Sequence, residues 1–309
     1  MAGSAAPAED ALSGAAAGPI LKAPGPWRRA LAGLISLALA TAILVQLRGG
    51  TAETLALLAR LPAAAWALFG AAYLAQPIAD YAIFARLWNL PRGAFAAMLR
   101  KTAINEAVFG YGGELYLYLW ARNRPGVAAA PFLTVKDVSI LSALAGNLLT
   151  LAMLAYSAPR LHALHVARQL APALWGAAGV AALSLCLLVF ARRVFSLPGA
   201  SLAMVAGVQA LRVVVVSGLN LMLWRLALPA VPLETWAHLL TLRLLVSRAP
   251  FITSKELVFG NLVLLLAGPR EPAALLLASL ALAWLGAHLA VLLTLGMRDG
   301  WRARGRRPA

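Results

Sequence analysis

Two carboxylates and a cluster of glycines interrupt an otherwise apolar stretch of the sequence. Within residues 101–120, Glu106 and Glu114 flank a glycine-rich break at residues 110–113. Ionisable groups at membrane depth are costly, and irregular backbone is tolerated there only where protein or a water-filled cavity satisfies it. The stretch is therefore predicted to form half of a polar site and not a lipid-facing helix.

A second interrupted stretch, residues 234–268, resembles the first. A shift of 142 residues carries Glu114 onto Glu256 and Lys101 onto Arg243, and four of nine residues in 107–115 coincide with those in 249–257. Both copies fall where helix continuity fails. The pattern favours an internal repeat of two broken hairpins, with coincidence in an Ala- and Leu-rich chain as the alternative.

The charged residues in and around these stretches predict a site for an amphiphile with an anionic head group. Cationic side chains would neutralise the head group, and carboxylates would hold the cations when the substrate is absent. The alternative is that the same groups only pair with one another, with Glu114 and Glu256 capping the helices that follow them. The predicted substrate-binding residues are Lys101, Glu106, Glu114, Lys136, Asp137, Arg212, Arg243, Arg248, Lys255 and Glu256.

The composition is that of an integral membrane protein. The 309 residues are 62% hydrophobic and only 12% charged, whereas about a quarter of a soluble domain is charged. The single cysteine, Cys186, excludes a disulfide within one chain, and no metal or other cofactor is predicted. The net charge of +16 lies largely beside apolar runs and in the terminal arginines, which favours membrane topology and anionic lipid over nucleic acid as its cause.

The apolar runs predict an all-α polytopic membrane protein with about six full spans and two interrupted or re-entrant helical hairpins. Residues 1–26 are predicted to be a disordered tail, 27–297 a single membrane domain with repeat-like halves at about 27–156 and 170–297, and 298–309 a basic tail. The full spans are placed at about residues 30–47, 61–88, 131–156, 170–191, 201–226 and 272–296.

Polar residues inside the spans have two interpretations. Asp80 either pairs with Arg86 near the interface or joins the site, and Lys136 and Asp137 are expected to reach the preceding hairpin. Arg212 either snorkels towards the interface or faces the interior, and the interior is favoured because Gln209, Arg212 and Val216 lie on one helix face. Two histidines at 162 and 165 form only a weak metal pattern without further ligands.

Basic residues predict that both termini are cytoplasmic in a bacterial inner membrane, although Arg160 and Arg168 in an outer loop count against this topology. Three spans between the hairpins would insert them from opposite faces, so that their broken ends meet near the midplane. Inverted repeats with discontinuous helices are typical of alternating-access transporters.

Several motifs resemble the lysylphosphatidylglycerol synthase transmembrane-region family of flippase-like membrane proteins. They are Gly113-Glu114-Leu115 before an apolar helix, the Lys136-Asp137 pair, and Lys255-Glu256 opening a late apolar helix. The chain would be a divergent member, since Leu117 and Tyr118 stand where that family commonly has a basic residue. The resemblance implies a membrane domain that moves or handles lipids and lipid-linked intermediates.

We therefore expect a flippase-like transporter whose partners are membrane lipids, above all an anionic lipid or lipid-linked substrate. The alternatives are a proton-coupled carrier of small solutes and a non-transporting accessory subunit of a lipid-modifying enzyme. The chain is not expected to be an enzyme, because it has no aminoacyl-transferase domain, Walker A loop, zinc-protease motif or nucleophile elbow. The sequence leaves substrate identity and oligomeric state open.

Overall fold

The computed structural model describes residues 56–108, 110–124, 126–161, 194–248 and 254–304, with four isolated positions elsewhere. Every regular element in these ranges is an α-helix, which confirms the all-α prediction. The eight helices of the described ranges are α1 (Ala63–Leu87), α2 (Phe95–Ala107), α3 (Gly112–Arg122), α4 (Pro131–Leu161), α5 (Gly199–Ala227), α6 (Leu233–Arg248), α7 (Lys255–Ala267) and α8 (Pro272–Arg304).

Three of the described helices are long and apolar enough to cross a membrane, as expected of a membrane protein. They are Pro131–Ala158 in α4, Gly199–Ala227 in α5 and Pro272–Asp299 in α8, with mean hydropathies of 1.9, 1.9 and 2.1. The helix α1 covers the predicted run at 61–88 and continues through Pro77. The predicted tail at 1–26, the spans at 30–47 and 170–191 and the histidines at 162 and 165 lie outside the described residues.

Both interrupted stretches form pairs of short helices. The first pair is α2 with α3 and the second is α6 with α7, and α2 and α7 both pack against α8. The break at the end of α2 contacts the break before α7, because the Ser254 amide donates to the Glu106 carbonyl at 3.0 Å. The broken ends therefore meet, as the sequence predicted.

The lengths of these helices explain how they fit together. Each of α2 and α7 has 13 residues, about 20 Å at 1.5 Å per residue, whereas the 28-residue candidate span of α8, Pro272–Asp299, extends about 42 Å. The combined length of two short helices that meet at their broken ends is thus about equal to the length of one long helix. This arrangement leaves helix termini in the middle of the molecule, where a continuous helix would have none.

The helices after both breaks start from an unusual backbone conformation. Tyr111 precedes α3 with φ of 67°, and Ser254 precedes α7 with φ of 53°. A non-glycine residue in this left-handed region costs roughly 1–2 kcal/mol and persists only where its surroundings hold it. Ser254 is held by two hydrogen bonds, from its amide and its hydroxyl, to the carbonyl of Glu106.

A glycine permits the close approach of α2 and α3. A Cβ atom at Gly113 would lie 2.1 Å from the backbone oxygen of Lys101. The Gly113 amide donates to Oδ1 of Asn105 at 2.6 Å, and Nδ2 of Asn105 donates to Oε1 of Glu114 at 3.0 Å. Asn105 thus satisfies a free amide at the start of α3.

Two apolar clusters form the core on either side of the breaks. The first gathers Trp224, Trp236 and Trp284 with neighbours from α1, α5, α6, α7 and α8. The second gathers Phe84, Met98 and residues of α3, α4 and α5. The outer face of α5 remains apolar and exposed, as expected of a helix that contacts lipid.

The last described helix extends into the predicted basic tail. The sequence places the end of the last span near residue 296, but α8 continues to Arg304. Asp299 in this extension accepts a hydrogen bond from Nη2 of Arg100 in α2 at 2.6 Å. The extension therefore packs beside the first hairpin, while residues 305–309 lie outside the described residues.

Candidate functional site

A polar cavity of about 300 Å³ lies where the two breaks meet. Every described helix except α8 contributes to its lining. Six of the ten predicted site residues line it: Lys101, Glu106, Glu114, Arg212, Arg248 and Lys255. The other four, Lys136, Asp137, Arg243 and Glu256, do not appear in its lining and are described below.

Lys101 is the cation that the protein neutralises most completely. Its Nζ lies 2.7 Å from Oδ2 of Asp80 and 3.4 Å from Oε1 of Glu114. Asp80 is fully buried and also accepts a hydrogen bond from Nε2 of Gln76. The alternative pairing of Asp80 with Arg86 is wrong, since Asp80 lies inside the helix bundle and reaches the buried lysine of α2.

Arg212 enters the cavity from α5 and forms no ion pair with a carboxylate of the described residues. Its Nη2 donates to Oγ of Ser142 at 3.2 Å, and its buried Nε has no hydrogen-bond partner in the described residues. Gln209, one turn earlier, is 0% exposed, so this face of α5 points inward as predicted. Neither the nitrogen nor the oxygen of the Gln209 amide is hydrogen bonded within the described part of the chain.

Arg248 and Lys255 enter the cavity on both sides of the second break. Nη1 of Arg248 donates to Oδ1 of Asn147 at 3.2 Å, and its other nitrogens donate to the hydroxyl of Ser247. Nζ of Lys255 donates to the Ser247 carbonyl at 2.9 Å. Both cations therefore contact neutral acceptors, and no ion pair joins either of them to a described carboxylate.

A glycine also fixes the position of Arg248. A Cβ atom at Gly146 in α4 would lie 2.5 Å from Nη1 of Arg248 and 3.0 Å from its Cζ. The guanidinium group thus lies directly on the backbone of α4. Only a residue without a side chain allows this contact while Arg248 reaches Asn147.

Glu106 is a half-buried carboxylate at the point where the breaks meet. Its backbone carbonyl accepts a hydrogen bond from the amide of Ser254. The side chain makes no hydrogen bond or ion pair with another described residue, although it interacts electrostatically with Lys255. Glu106 is thus available to a ligand or a proton.

Arg243 and Glu256 form an ion pair beside the cavity. Nε of Arg243 donates to Oε2 of Glu256 at 3.0 Å, and its Nη2 donates to Oε1. This bidentate pair joins α6 to α7 across the second break. Lys101 and Glu114, also 13 residues apart, join α2 to α3 across the first break.

Lys136 and Asp137 lie in the first turns of α4, and their side chains contact the segment before α5 and not the preceding hairpin, contrary to expectation. Oδ2 of Asp137 accepts from the amides of Ser196 and Leu197 at 2.7 and 2.8 Å, and Nζ of Lys136 donates to the Val194 carbonyl. The backbone before α5 has amides that need acceptors, and Asp137 satisfies them. The two side chains also pair with each other at 3.2 Å.

The neutral residues that position the cations were not predicted as site residues. Ser142, Asn147 and Ser247 hydrogen bond to Arg212 or Arg248, and Gln209 lies beside them. The available signal was the position of Asn147 and Gln209 inside apolar runs. Serines give no such signal, because they are common in membrane helices for packing reasons.

The charge balance of the cavity is positive. Four cations line it, Lys101, Arg212, Arg248 and Lys255. They face two lining carboxylates, Glu106 and Glu114, and the adjoining Asp80, which leaves an excess of one positive charge (4 − 3) when all three are ionised. Within the described residues, no three His, Cys, Asp or Glu side chains converge on a possible metal position.

These features define a class, an all-helical membrane protein with a cation-rich cavity between two broken hairpins. No family model, no curated protein and no solved structure matches the chain. The class therefore rests on the three helices that are long and apolar enough to span a membrane, the breaks and the charges described above.

Proposed function

We propose that the chain is a flippase-like transporter that takes the head group of an anionic lipid or lipid-linked intermediate into this cavity. The observation that carries the proposal is that Arg212, Arg248 and Lys255 line the cavity and that all their hydrogen-bond partners in the described residues are neutral. Cations in a largely apolar protein are expected to meet a counter-charge, and no carboxylate among the described residues forms an ion pair with any of the three. An anionic head group would supply the missing charge.

The placement of the hairpins supports a transport role. Arg100 near the start of α2 pairs with Asp299 near the end of α8, whereas α7 ends at Ala267, next to the start of α8. The outer ends of α2 and α7 therefore lie at opposite ends of a helix long enough to span a membrane. We infer that the hairpins enter from opposite faces as an inverted repeat, which would let the central site open to either side.

The surface next to Arg212 supports a lipid as the substrate. Leu211 and Val215, one turn apart on α5, have exposed fractions of 64% and 40%, and Val215 follows Arg212 by three residues along the same side of the helix. The hydrocarbon chains of a lipid would lie along this apolar face while the head group reaches Arg212.

Reconstitution into vesicles tests this function. Tail-labelled phosphatidylglycerol and a labelled polyprenyl phosphate, in separate preparations, are expected to change leaflet faster than in empty vesicles. Arg212→Gln should slow this movement roughly tenfold, because a charged hydrogen bond is worth about 1.5–3 kcal/mol. The proposal fails if neither lipid moves faster with protein than without it.

A matched control separates the cavity from overall charge. Arg86→Gln also removes one positive charge, but Arg86 is exposed on α1 and does not line the cavity. It should leave the flipping rate unchanged. Equal slowing by both substitutions would attribute the effect to surface charge and count against the cavity.

The unpaired carboxylate of Glu106 favours a second candidate, a proton-coupled carrier of a small anionic solute. This candidate predicts that soluble glycerol phosphate acidifies the lumen of proteoliposomes that contain a pH-sensitive dye. Glu106→Gln should abolish the acidification, and no labelled lipid should flip. Lipid movement without solute-driven acidification would exclude this candidate.

A further inference from the structure

We propose that Gln209 and Arg212 form a two-part subsite for a phosphodiester that carries a hydroxyl on its head group. The proposal rests on the proposed function and names the chemistry of its substrate. Arg212 would bind the phosphate, and Gln209 would form hydrogen bonds with the hydroxyl.

The unsatisfied amide of Gln209 indicates the neutral part of the ligand. Its side chain is 0% exposed, lines the cavity, and has neither its nitrogen nor its oxygen hydrogen bonded within the described residues. Buried side-chain amides are nearly always hydrogen bonded. A hydroxyl both donates and accepts, and so matches an amide that offers one acceptor and two donors. An ammonium group would only donate, and a phosphate at pH 7 would mainly accept.

The free nitrogen of Arg212 indicates the anionic part. Nη2 of Arg212 donates a hydrogen bond to Oγ of Ser142, but the buried Nε has no hydrogen-bond partner in the described part of the chain. Guanidinium groups bind phosphate oxygens through a planar fork of N–H donors. Because Nε donates no hydrogen bond within the described residues, it can donate one to a phosphate oxygen. Nη2 can meanwhile keep its hydrogen bond to Ser142.

The spacing of the two residues joins these parts into one ligand. Residues three apart on a helix have Cβ atoms about 5–6 Å apart on the same face. An arm of two or three carbons between phosphate and hydroxyl bridges a distance of this size. One head group can therefore reach both Gln209 and Arg212.

The charge of the cavity favours a phosphodiester over a phosphate monoester. The lining cations exceed the carboxylates Glu106, Glu114 and Asp80 by one charge. A phosphodiester is a monoanion and would neutralise this excess, whereas a monoester carries close to two negative charges at pH 7. A second positive group on the ligand would also be repelled by Arg248, which lines the same cavity.

Two lipids that differ by one hydroxyl test the subsite. Tail-labelled phosphatidyl-1,3-propanediol and phosphatidylpropanol have the same charge and chain length, but only the former carries a head-group hydroxyl. We expect the wild-type protein to flip the propanediol lipid roughly tenfold faster, the effect of one hydrogen-bonding group. Gln209→Leu should abolish this preference.

Stability measurements separate a ligand-binding role from a structural one. Gln209→Leu replaces an unsatisfied buried amide by an apolar group of similar size, so the apparent Tm should not fall. The matched control is Asn220→Leu on the same helix, where the amide is 1% exposed, donates to the Val216 carbonyl and does not line the cavity. This control should keep the preference for the propanediol lipid.

The outcomes distinguish the subsite from the proposed function. Movement of both lipids at equal rates by the wild-type protein, or an undiminished preference in Gln209→Leu, overturns the subsite and leaves flipping intact. If neither lipid moves faster than in empty vesicles, the proposed function itself fails.

A soluble competitor identifies the source of the head group. Glycerophosphoglycerol presents the same phosphodiester and hydroxyl without hydrocarbon chains. Inhibition of lipid flipping by this compound that disappears in Gln209→Leu would support the subsite and show that the head group alone suffices. Inhibition of the same size in the Gln209→Leu protein would count against it.

Discussion

At the scale of residues, the cavity contains two kinds of cation. Lys101 is held by Asp80 and Glu114 and is 6% exposed, whereas Arg212 and Arg248 contact neutral side chains. Breaking a buried ion pair leaves an uncompensated buried charge, so Lys101 and its partners are expected to stabilise the fold. Under the proposed function, the second kind of cation binds the anionic ligand.

Lys101→Met should therefore destabilise the protein strongly. It leaves Asp80, which is 0% exposed, without its cation, and loss of one partner of a buried pair costs about 3–5 kcal/mol. The measurement is the free energy of unfolding by detergent titration. Arg100→Met is the control, because its pair with Asp299 is exposed and should contribute less than about 1 kcal/mol. Equal losses in the two variants would contradict the assignment.

Gly146→Ala should separate ligand binding from stability. The new Cβ would lie 2.5 Å from Nη1 of Arg248, so the flexible side chain must leave Asn147. We expect weaker binding of an anionic lipid with little change in Tm, since alanine also favours the helix. Gly207→Ala in α5 meets no atom within 4 Å and should bind lipid normally. Wild-type affinity in Gly146→Ala would show that the position of Arg248 is unimportant.

The charged residues of the site were visible in the sequence, but their partners were not. Charges inside apolar runs are rare, and for this reason the sequence predicts Lys101, Glu106 and Arg212 as site residues. Lys136 and Asp137 show the same local pattern yet hold the segment before α5. Which carboxylate meets which cation depends on tertiary packing, and periodicity along one helix does not contain that information.

At the scale of elements, the two breaks organise the molecule. The glycines and charges of residues 101–120 and 234–268 predicted where helices fail, and α2 ends and α7 begins within those stretches. The contact between Glu106 and Ser254 was not predictable in detail, because its acceptor is the backbone carbonyl of Glu106, which leaves no trace in the side-chain pattern. The left-handed Tyr111 and Ser254 were missed for a similar reason, since neither is a glycine.

Gly113→Ala should disrupt the first hairpin. The added Cβ would lie 2.1 Å from the backbone oxygen of Lys101, and backbone cannot move aside as a side chain can. The helices α2 and α3 would have to separate, and we expect a loss of more than about 3 kcal/mol or failure to fold. The loss of stability is measured as the Tm of the variant in detergent, compared with that of the wild type.

Gly70→Ala is the matched substitution for that experiment. Gly70 lies in α1 with no atom within 4 Å of the added Cβ. The variant should be as stable as the wild type or slightly more stable. A Gly113→Ala protein with the same Tm as Gly70→Ala would mean that α2 and α3 do not approach as described.

At the scale of the whole molecule, the direction of the helices bears on the predicted topology. The contacts of Asp137 with Ser196 and of Ser142 with Arg212 follow the same order along α4 and α5, so these helices run in the same direction. The predicted topology requires this, with a returning span between them. That span, at about residues 170–191, lies outside the described residues.

Cysteine labelling tests whether the hairpins enter from opposite faces. Replacement of Cys186, the single cysteine, by alanine gives a background for one cysteine at Asn123 or at Arg270, both exposed. A membrane-impermeant maleimide added outside intact cells should label position 270 and not position 123. Labelling of both positions, or of position 123 alone, would contradict the proposed topology.

The central claim is that the cavity between the broken hairpins binds an anionic head group through Arg212 and Arg248. The most direct measurement is the affinity of the detergent-solubilised protein for tail-labelled phosphatidylglycerol, compared between the wild type and the double variant Arg212→Gln, Arg248→Gln. Two charged contacts of about 1.5–3 kcal/mol each predict a loss of roughly 100-fold or more, with Arg86→Gln unchanged. Equal affinity of the wild type and the double variant would contradict the account.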